Sequence, residues 1–135
     1  MKIDNVSQKV VDLMKADKFV DLCGITLDEI GPGYAKTSVE ITKDHLNGAG
    51  VIQGGVLFTL ADYALASAAN SREKVSVSIE TSMSFIKGVS SGKITATAKE
   101  TSCGRTLARY DVPVTTEDGT LIALLHGTVF RKINP

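Results

Sequence analysis

One stretch limits the fold more than any other. Residues 54–71, GGVLFTLADYALASAANS, carry a single charge, Asp62. The apolar residues are not confined to one stripe, so a helix here must be covered on most of its sides. A helix over 54–70 would be about 25 Å long at ~1.5 Å per residue. A carboxylate that cannot easily be solvated is costly and needs a compensating reason. The stretch therefore predicts a central helix with a functional acid in its middle.

The rest of the chain supplies the cover. Val6, Val10, Leu13 and Met14 fall on one side at helical spacing and predict a short helix over 5–16, inside an N-terminal segment 1–18. Phe19 to Ile30, interrupted by Gly24, predicts a bent first strand. Tyr34 to Thr42 alternates, with Ala35, Thr37, Val39 and Ile41 on one face, as a half-buried antiparallel strand does. Four more strands are predicted at Val75–Phe85, Lys93–Glu100, Leu107–Thr115 and Leu121–Arg131. Glu117-Asp118-Gly119 is a hairpin signal between the last two. Pro113 predicts an edge position or a bulge in its strand. No repeat or linker interrupts the 135 residues, which predicts one domain over 1–135. The order is helix, two strands, long helix, four strands. Its simplest packing is an α+β fold in which one curved antiparallel sheet wraps the long helix. One helix cannot cover a wide sheet alone, so a homodimer is expected.

Several function classes are disfavoured. The formal net charge is zero, without the basic excess that nucleic-acid binding needs. Tryptophan is absent and aromatics are few, which argues against a stacking platform. The N-terminus has no long apolar run and reads as neither signal peptide nor membrane span. Cys23 and Cys103 are far apart without metal spacing and read as two buried free thiols of a reducing, cytoplasmic setting. His45 and His126 suggest no triad, and no Gly-x-Ser-x-Gly elbow or Walker sequence is present.

The chemistry gathers between Asn47 and Asp62. Gln53-Gly54-Gly55 marks the passage from loop to helix. The first amides of a helix lack intrahelical acceptors and carry the positive end of the dipole. Glycines let a ligand oxygen approach them. The Gly54 N–H is thus a candidate oxyanion donor. Gln53 could add its side-chain N–H. Asn47 either orients Asp62 or a water, or folds the loop with an Asx bond. Ser78 and Ser76 could bond the carboxylate or the water, or face a partner or solvent. Gly54 and Asp62 are eight residues apart, about 12 Å along a regular helix at ~1.5 Å per residue. One small carbonyl cannot readily touch both on one chain. Two antiparallel helices in a symmetric dimer would bring Gly54 of one copy near Asp62 of the other.

These residues resemble a known family. Asn47-x-x-Gly50-x-x-Gln53-Gly54-Gly55 followed by Phe58-x-Leu60-Ala61-Asp62-x-Ala64 is similar to the signature of hotdog-fold acyl-CoA thioesterases of the phenylacetate-pathway, or PaaI-like, group. The resemblance implies a hotdog fold and hydrolysis of acyl-CoA, with coenzyme A as leaving group and no cofactor or metal. It implies Asp62 as general base or nucleophile, Gly54 N–H as the donor that polarises the carbonyl, and Asn47 and Ser78 as helpers. Gly55, Phe85, Lys87, Gly88 and Arg105 are the substrate-binding positions it implies, with Phe85 to Val89 along the pantetheine path. The expected assembly is a homodimer that builds a tetramer. One departure stands out: Gln53 replaces the family's usual histidine. That weakens a histidine-dependent dehydratase reading. The rival readings are a hotdog protein that binds acyl-CoA or another small ligand without turnover, and a structural oligomer with a buried acid.

Overall fold

The computed structural model describes residues 1–132; residues 133–135 of the expected domain lie outside the described residues. Elements follow in the order β1 (Lys2–Ile3), α1 (Gln8–Lys15), α2 (Lys18–Leu22), β2 (Thr26–Gly31), β3 (Tyr34–Glu40), α3 (Gly54–Asn70), β4 (Ser76–Phe85), β5 (Lys93–Cys103), β6 (Leu107–Thr116) and β7 (Leu121–Arg131), with a 3₁₀ turn at Lys43–His45. The strands form one seven-stranded sheet in the order β1-β2-β3-β5-β6-β7-β4. All pairs are antiparallel except β1 with β2.

The sheet wraps α3, as the residue pattern demands. Leu57, Leu60, Ala61, Ala64, Leu65 and Ala68 are all buried. They meet Ala35, Val39, Ile94, Ala96, Ala98, Val112, Val114, Leu125 and Val129 from the sheet in one core. Alanines on both sides let helix and sheet approach closely. Two contacts fix the approach. The buried Thr37 hydroxyl donates to the Leu60 carbonyl at 2.9 Å. A Cβ added at Gly127 would lie 2.2 Å from the Leu65 side chain. Gly127→Ala should therefore overpack this contact and cost about 1–3 kcal/mol, measured by denaturant unfolding.

The N-terminal third departs from expectation. Phe19–Ile30 is not one bent strand. Asp17 caps a short helix, its carboxylate accepting from Val20 N–H at 3.0 Å, and β2 starts only at Thr26. The first helix is shorter than 5–16 and turned: Val10, Val11 and Met14 are buried, whereas Leu13 is exposed. Lys2 and Ile3 form an extra strand beside Glu29 and Ile30. Pro113 is not at an edge, because β6 lies between β5 and β7. The β5–β6 pairing passes from Ala96–Val114 to Lys99–Asp111 without using Pro113, and the β6–β7 register shifts at Val114/Thr115. A missing donor is tolerated where the ladder is already irregular. Both cysteines are free, but Cys23 is only half-buried and Cys103 is exposed. In the β6–β7 turn, Asp118 accepts from Thr120 N–H at 3.1 Å, and Gly119 takes a φ of 88°.

The far edge of the sheet is β4, paired only with β7. Val77 and Ile79 there are 44% and 58% exposed, and Val75 just before them is exposed too. Among the described residues, no helix is long and apolar enough to cross a membrane.

Candidate active site

The loop before α3 is folded by its own side chains. Asn47 Oδ1 accepts from Ala49 N–H at 2.9 Å and Val51 N–H at 3.2 Å. Of its two possible roles, this is the loop-folding one; only the Nδ2 side of the amide is left to meet a ligand. Gly50 turns the loop with a φ of 80°, and its carbonyl accepts from the Ser90 hydroxyl at 2.7 Å. Ile52 N–H donates to the Val89 carbonyl at 2.8 Å, tying the loop to the segment after β4. His45 is a strut of this loop. Its Nδ1 accepts from Thr42 N–H at 2.9 Å and its Nε2 faces the Cys23 carbonyl at 2.7 Å, which fixes the neutral tautomer with the proton on Nε2.

Gln53 is the N-cap of α3. Its Oε1 accepts from the Gly55 N–H in a short bond. The Gly55 amide is thereby taken up within the helix start. The Gln53 Nε2 remains as a donor. Gly54 is then the first helical residue, and its N–H has no acceptor among the described residues. It opens on a cavity of ≈ 310 Å³ that also involves Asn47, Phe85, Lys87 and Gly88. A Cβ on Gly54 would lie 3.2 Å from the Phe85 ring, so glycine lets that ring cover the helix start. Hydrogen bonds from the Thr116 and Thr120 hydroxyls and the Thr120 N–H hold the Asp118 carboxyl in the β6–β7 turn down to about 2, with a smaller contribution from the Lys87 ammonium.

Asp62 is at a second place. It is half-buried in the middle of α3. Burial pushes its carboxyl above the ordinary range, a hydrogen bond with Ser78 on β4 pulls it back, and the negative charge of Asp17 adds to the rise. Ser78 is exposed on β4 and acts on Asp62, while Ser76 is buried and its N–H donates to Asn70 Oδ1 at 3.1 Å.

One chain therefore holds two separate poles. The donor pole has Gly54, Asn47, Phe85, Lys87 and Gly88, with Gln53 at its rim. The acid pole has Asp62 and Ser78. Helix α3 is continuous from Gly54 to Asn70, so the ~12 Å axial spacing at 1.5 Å per residue stands. Arg105 belongs to neither pole of its own chain. It lies in the β5–β6 turn, beyond the Leu107–Phe130 pair, whereas Phe85 pairs with Ala123 at the other end of β7. His126 does meet a carboxylate, Asp111 at 2.6 Å, and Ser82 is its cross-strand neighbour. That trio lies on the exposed outer face of the sheet. Sequence reasoning missed Asp17, which lies just past the helix expected over 5–16. Its cap position was visible; its approach to Asp62 was not.

The profile of the thioesterase superfamily matches residues 49–123, which includes Gly54, Asp62, Ser78 and Phe85. A relative from Archaeoglobus fulgidus bears a provisional esterase name and is 40% identical over 132 residues, covering 96% of this chain and 86% of its own. The acyl-coenzyme A thioesterase PaaI of Escherichia coli is 31% identical over 109 residues, covering 80% of this chain and 78% of its own. The solved structure of the E. coli PaaI protein superposes with a TM-score of 0.89 at 27% identity, over 94% of this chain and 93% of that one.

Proposed function

This chain belongs to the thioesterase superfamily, with the hotdog fold and PaaI-like relatives, and from that membership we propose that it hydrolyses an acyl-CoA thioester to the free acid and coenzyme A. The observation that carries the reading is the division of parts along α3. An unpaired, dipole-backed Gly54 N–H opens on a cavity at one end. A carboxylate with raised proton affinity waits in the middle.

Two copies complete the site. The free edge of β4 and its exposed Val77 and Ile79 form a surface that a second β4 can cover. An antiparallel pairing centred between Thr81 and Ser82 would set Phe85 of one copy beside Ser78 of the other. The Asp62 pole would then meet the Gly54 pole, and the end of the sheet bearing Arg105 would approach the cavity of the other copy. The assembly is a homodimer with two such sites, and two dimers make the tetramer. The setting is cytoplasmic.

The thioester carbonyl accepts from Gly54 N–H, with Gln53 Nε2 as a second donor. Such donors stabilise the charge that develops on oxygen. Asp62 of the second copy takes a proton from water, whose oxygen attacks the carbonyl carbon, or attacks that carbon itself. On the first route the C–S bond then breaks and Asp62 returns its proton to the departing coenzyme A thiolate. On the second the C–S bond breaks to leave an acyl–aspartyl anhydride, which water hydrolyses to the free acid while supplying the proton of the thiol. Lys87 and Arg105 offer cations to its phosphates. Asn47 Nδ2 can hold the water.

The test is thiol release from a panel of acyl-CoA esters by the purified protein. Turnover is expected. Saturable binding of acyl-CoA without thiol release would overturn hydrolysis and leave a binding protein. Gln53→Ala separates two roles of that residue. Loss of the cap should cost ~1 kcal/mol of stability, seen in thermal melts. Loss of the Nε2 donor should lower kcat more than it raises KM, because an oxyanion contact acts mainly in the transition state.

A further inference from the structure

Helix α3 leaves one stripe open. The sheet covers most of the helix, but Gly55 and Phe58 are exposed and Thr59, Asp62 and Ala66 are half-buried. Their spacing of three and four residues places them on one face. Among the described residues, Phe58 is the only exposed large apolar side chain of α3, at 37%. It follows Gly54 by four residues and precedes Asp62 by four, midway between the donor and the acid. It is also the bulkiest group on the stripe. Gly54 and Gly55 have no side chain, and Asp62 has a short one. The Thr59 hydroxyl turns back on its own helix and donates to the Gly55 carbonyl at 2.8 Å, so it needs no partner outside. No step of the proposed hydrolysis uses the Phe58 ring.

We propose that Phe58 lies on the two-fold axis of the dimer, against Phe58 of the second copy, and is a positioning residue whose ring pair sets the gap between Gly54 of one copy and Asp62 of the other. This rests on the reading of a site shared by two antiparallel α3 helices. If Gly54 faces Asp62 across the two-fold, the residue midway between them faces itself. Both ends of α3 adjoin the free β4 edge. The Phe85 ring lies over Gly54, and Ser76 N–H donates to Asn70 Oδ1 at 3.1 Å. A second copy that pairs with β4 therefore also meets this stripe. The spacing of packed helices follows the side chains at their contact. Here the contact is the Phe58 pair, and an aromatic pair prefers an offset or edge-to-face arrangement to a flat sandwich. The rings hold the helices apart at the centre. A gap then opens on each side, where glycine faces a carboxylate, and each gap is one site. The same rings close the inner end of both gaps to water.

Cysteine cross-linking tests the axis, and kinetics test the role. A disulfide needs Cα atoms within about 7 Å of each other. With Cys23 and Cys103 replaced by serine, Phe58→Cys should oxidise with copper–phenanthroline to a covalent dimer that dithiothreitol separates. Ala66→Cys should not, because on this axis it lies about 24 Å along the helix from its own copy, at ~1.5 Å per residue. Phe58→Ala should lower kcat about 10²-fold, the cost of a displacement near 1 Å, with KM little changed, in protein that sedimentation shows to be dimeric. Phe58→Leu keeps a bulky apolar group on the axis and should restore most of that loss. Folded Phe58→Cys protein that cross-links no faster than Ala66→Cys overturns the axis. Dimeric Phe58→Ala with the wild-type kcat overturns the positioning role. If Phe58→Cys does not fold, the alanine and leucine variants decide. Complementation between inactive Gly54→Pro and Asp62→Ala chains reports on the shared site by itself. Complementation without the Phe58→Cys cross-link would place the failure in Phe58, and loss of both would place it in the shared site.

Discussion

Asp62→Asn is expected to lower kcat for acyl-CoA hydrolysis by at least ~10²–10⁴-fold, the usual cost of a lost general base. The variant keeps the shape of the side chain and an acceptor for Ser78. It removes the group that takes the proton or attacks. Stability should move the other way. The native structure holds the Asp62 carboxyl above its ordinary range, with burial as the largest cause. Below the ordinary carboxylate range both native and unfolded chains are protonated there, and the residue costs nothing electrostatic. As pH rises from that range through the raised native value, the unfolded chain ionises first, so stability is lost across this window. Above it the full cost is present. Asparagine cannot ionise and avoids that cost. Asp62→Asn should therefore melt at the same or a higher temperature than wild type at neutral pH, with the advantage fading on acidification. Wild-type turnover by the purified variant would remove Asp62 from the mechanism. A lower melting temperature at neutral pH would mean that the carboxylate is held by bonds that asparagine cannot replace.

The same residue shows what could be read from the sequence. Gly54–Asn70 was legible because its apolar residues are not confined to one stripe and glycines mark its start; the helix has those bounds. The strands after it were legible because Val75–Phe85 and Lys93–Glu100 alternate in sequence and Glu117-Asp118-Gly119 marks the turn before β7, which keeps its expected limits. Phe19–Ile30 misleads because Gly24 reads as a bend inside a strand. The informative signal was Asp17, a capping residue before Phe19, Val20 and Leu22. The two residues of β1 have no local signature and exist only through their pairing with β2. Within the site, the spacing of Gly54 and Asp62 was legible, since it needs only a regular helix. The Gln53 bond to Gly55 N–H was not, because a side chain that turns back on its own helix leaves no periodic trace. The separation of Arg105 from the donor pole depends on strand register, which pairing alone sets.

The strongest consequence of the two-pole arrangement is that inactive proteins should rescue one another. Gly54 follows the N-cap Gln53 and is the first residue of α3. Proline is favoured at that position because its missing N–H would have had no helical partner. Gly54→Pro therefore deletes the oxyanion donor with little threat to the helix. The added ring must displace Phe85, whose atoms come within 3.2 Å of a Cβ at Gly54, but that side chain is exposed and can turn outward. Asp62→Ala deletes the acid pole. Each homodimer should be inactive, because every site lacks one part. A mixed dimer would hold one site with both defects and one with neither, by the symmetry of a two-fold interface. Refolding the two variants together should restore up to about half the wild-type activity per mixed dimer, on the same two-fold argument. Differently tagged chains allow the mixed species to be isolated before assay. If verified mixed dimers stay inactive while both parents remain folded, donor and acid do not meet across the two-fold. They would then have to meet within one chain, and the ~12 Å of continuous helix between them forbids that unless α3 breaks on binding substrate. Amide exchange across α3 in the presence of a CoA ligand would reveal such a break as lost protection between Gly54 and Asp62.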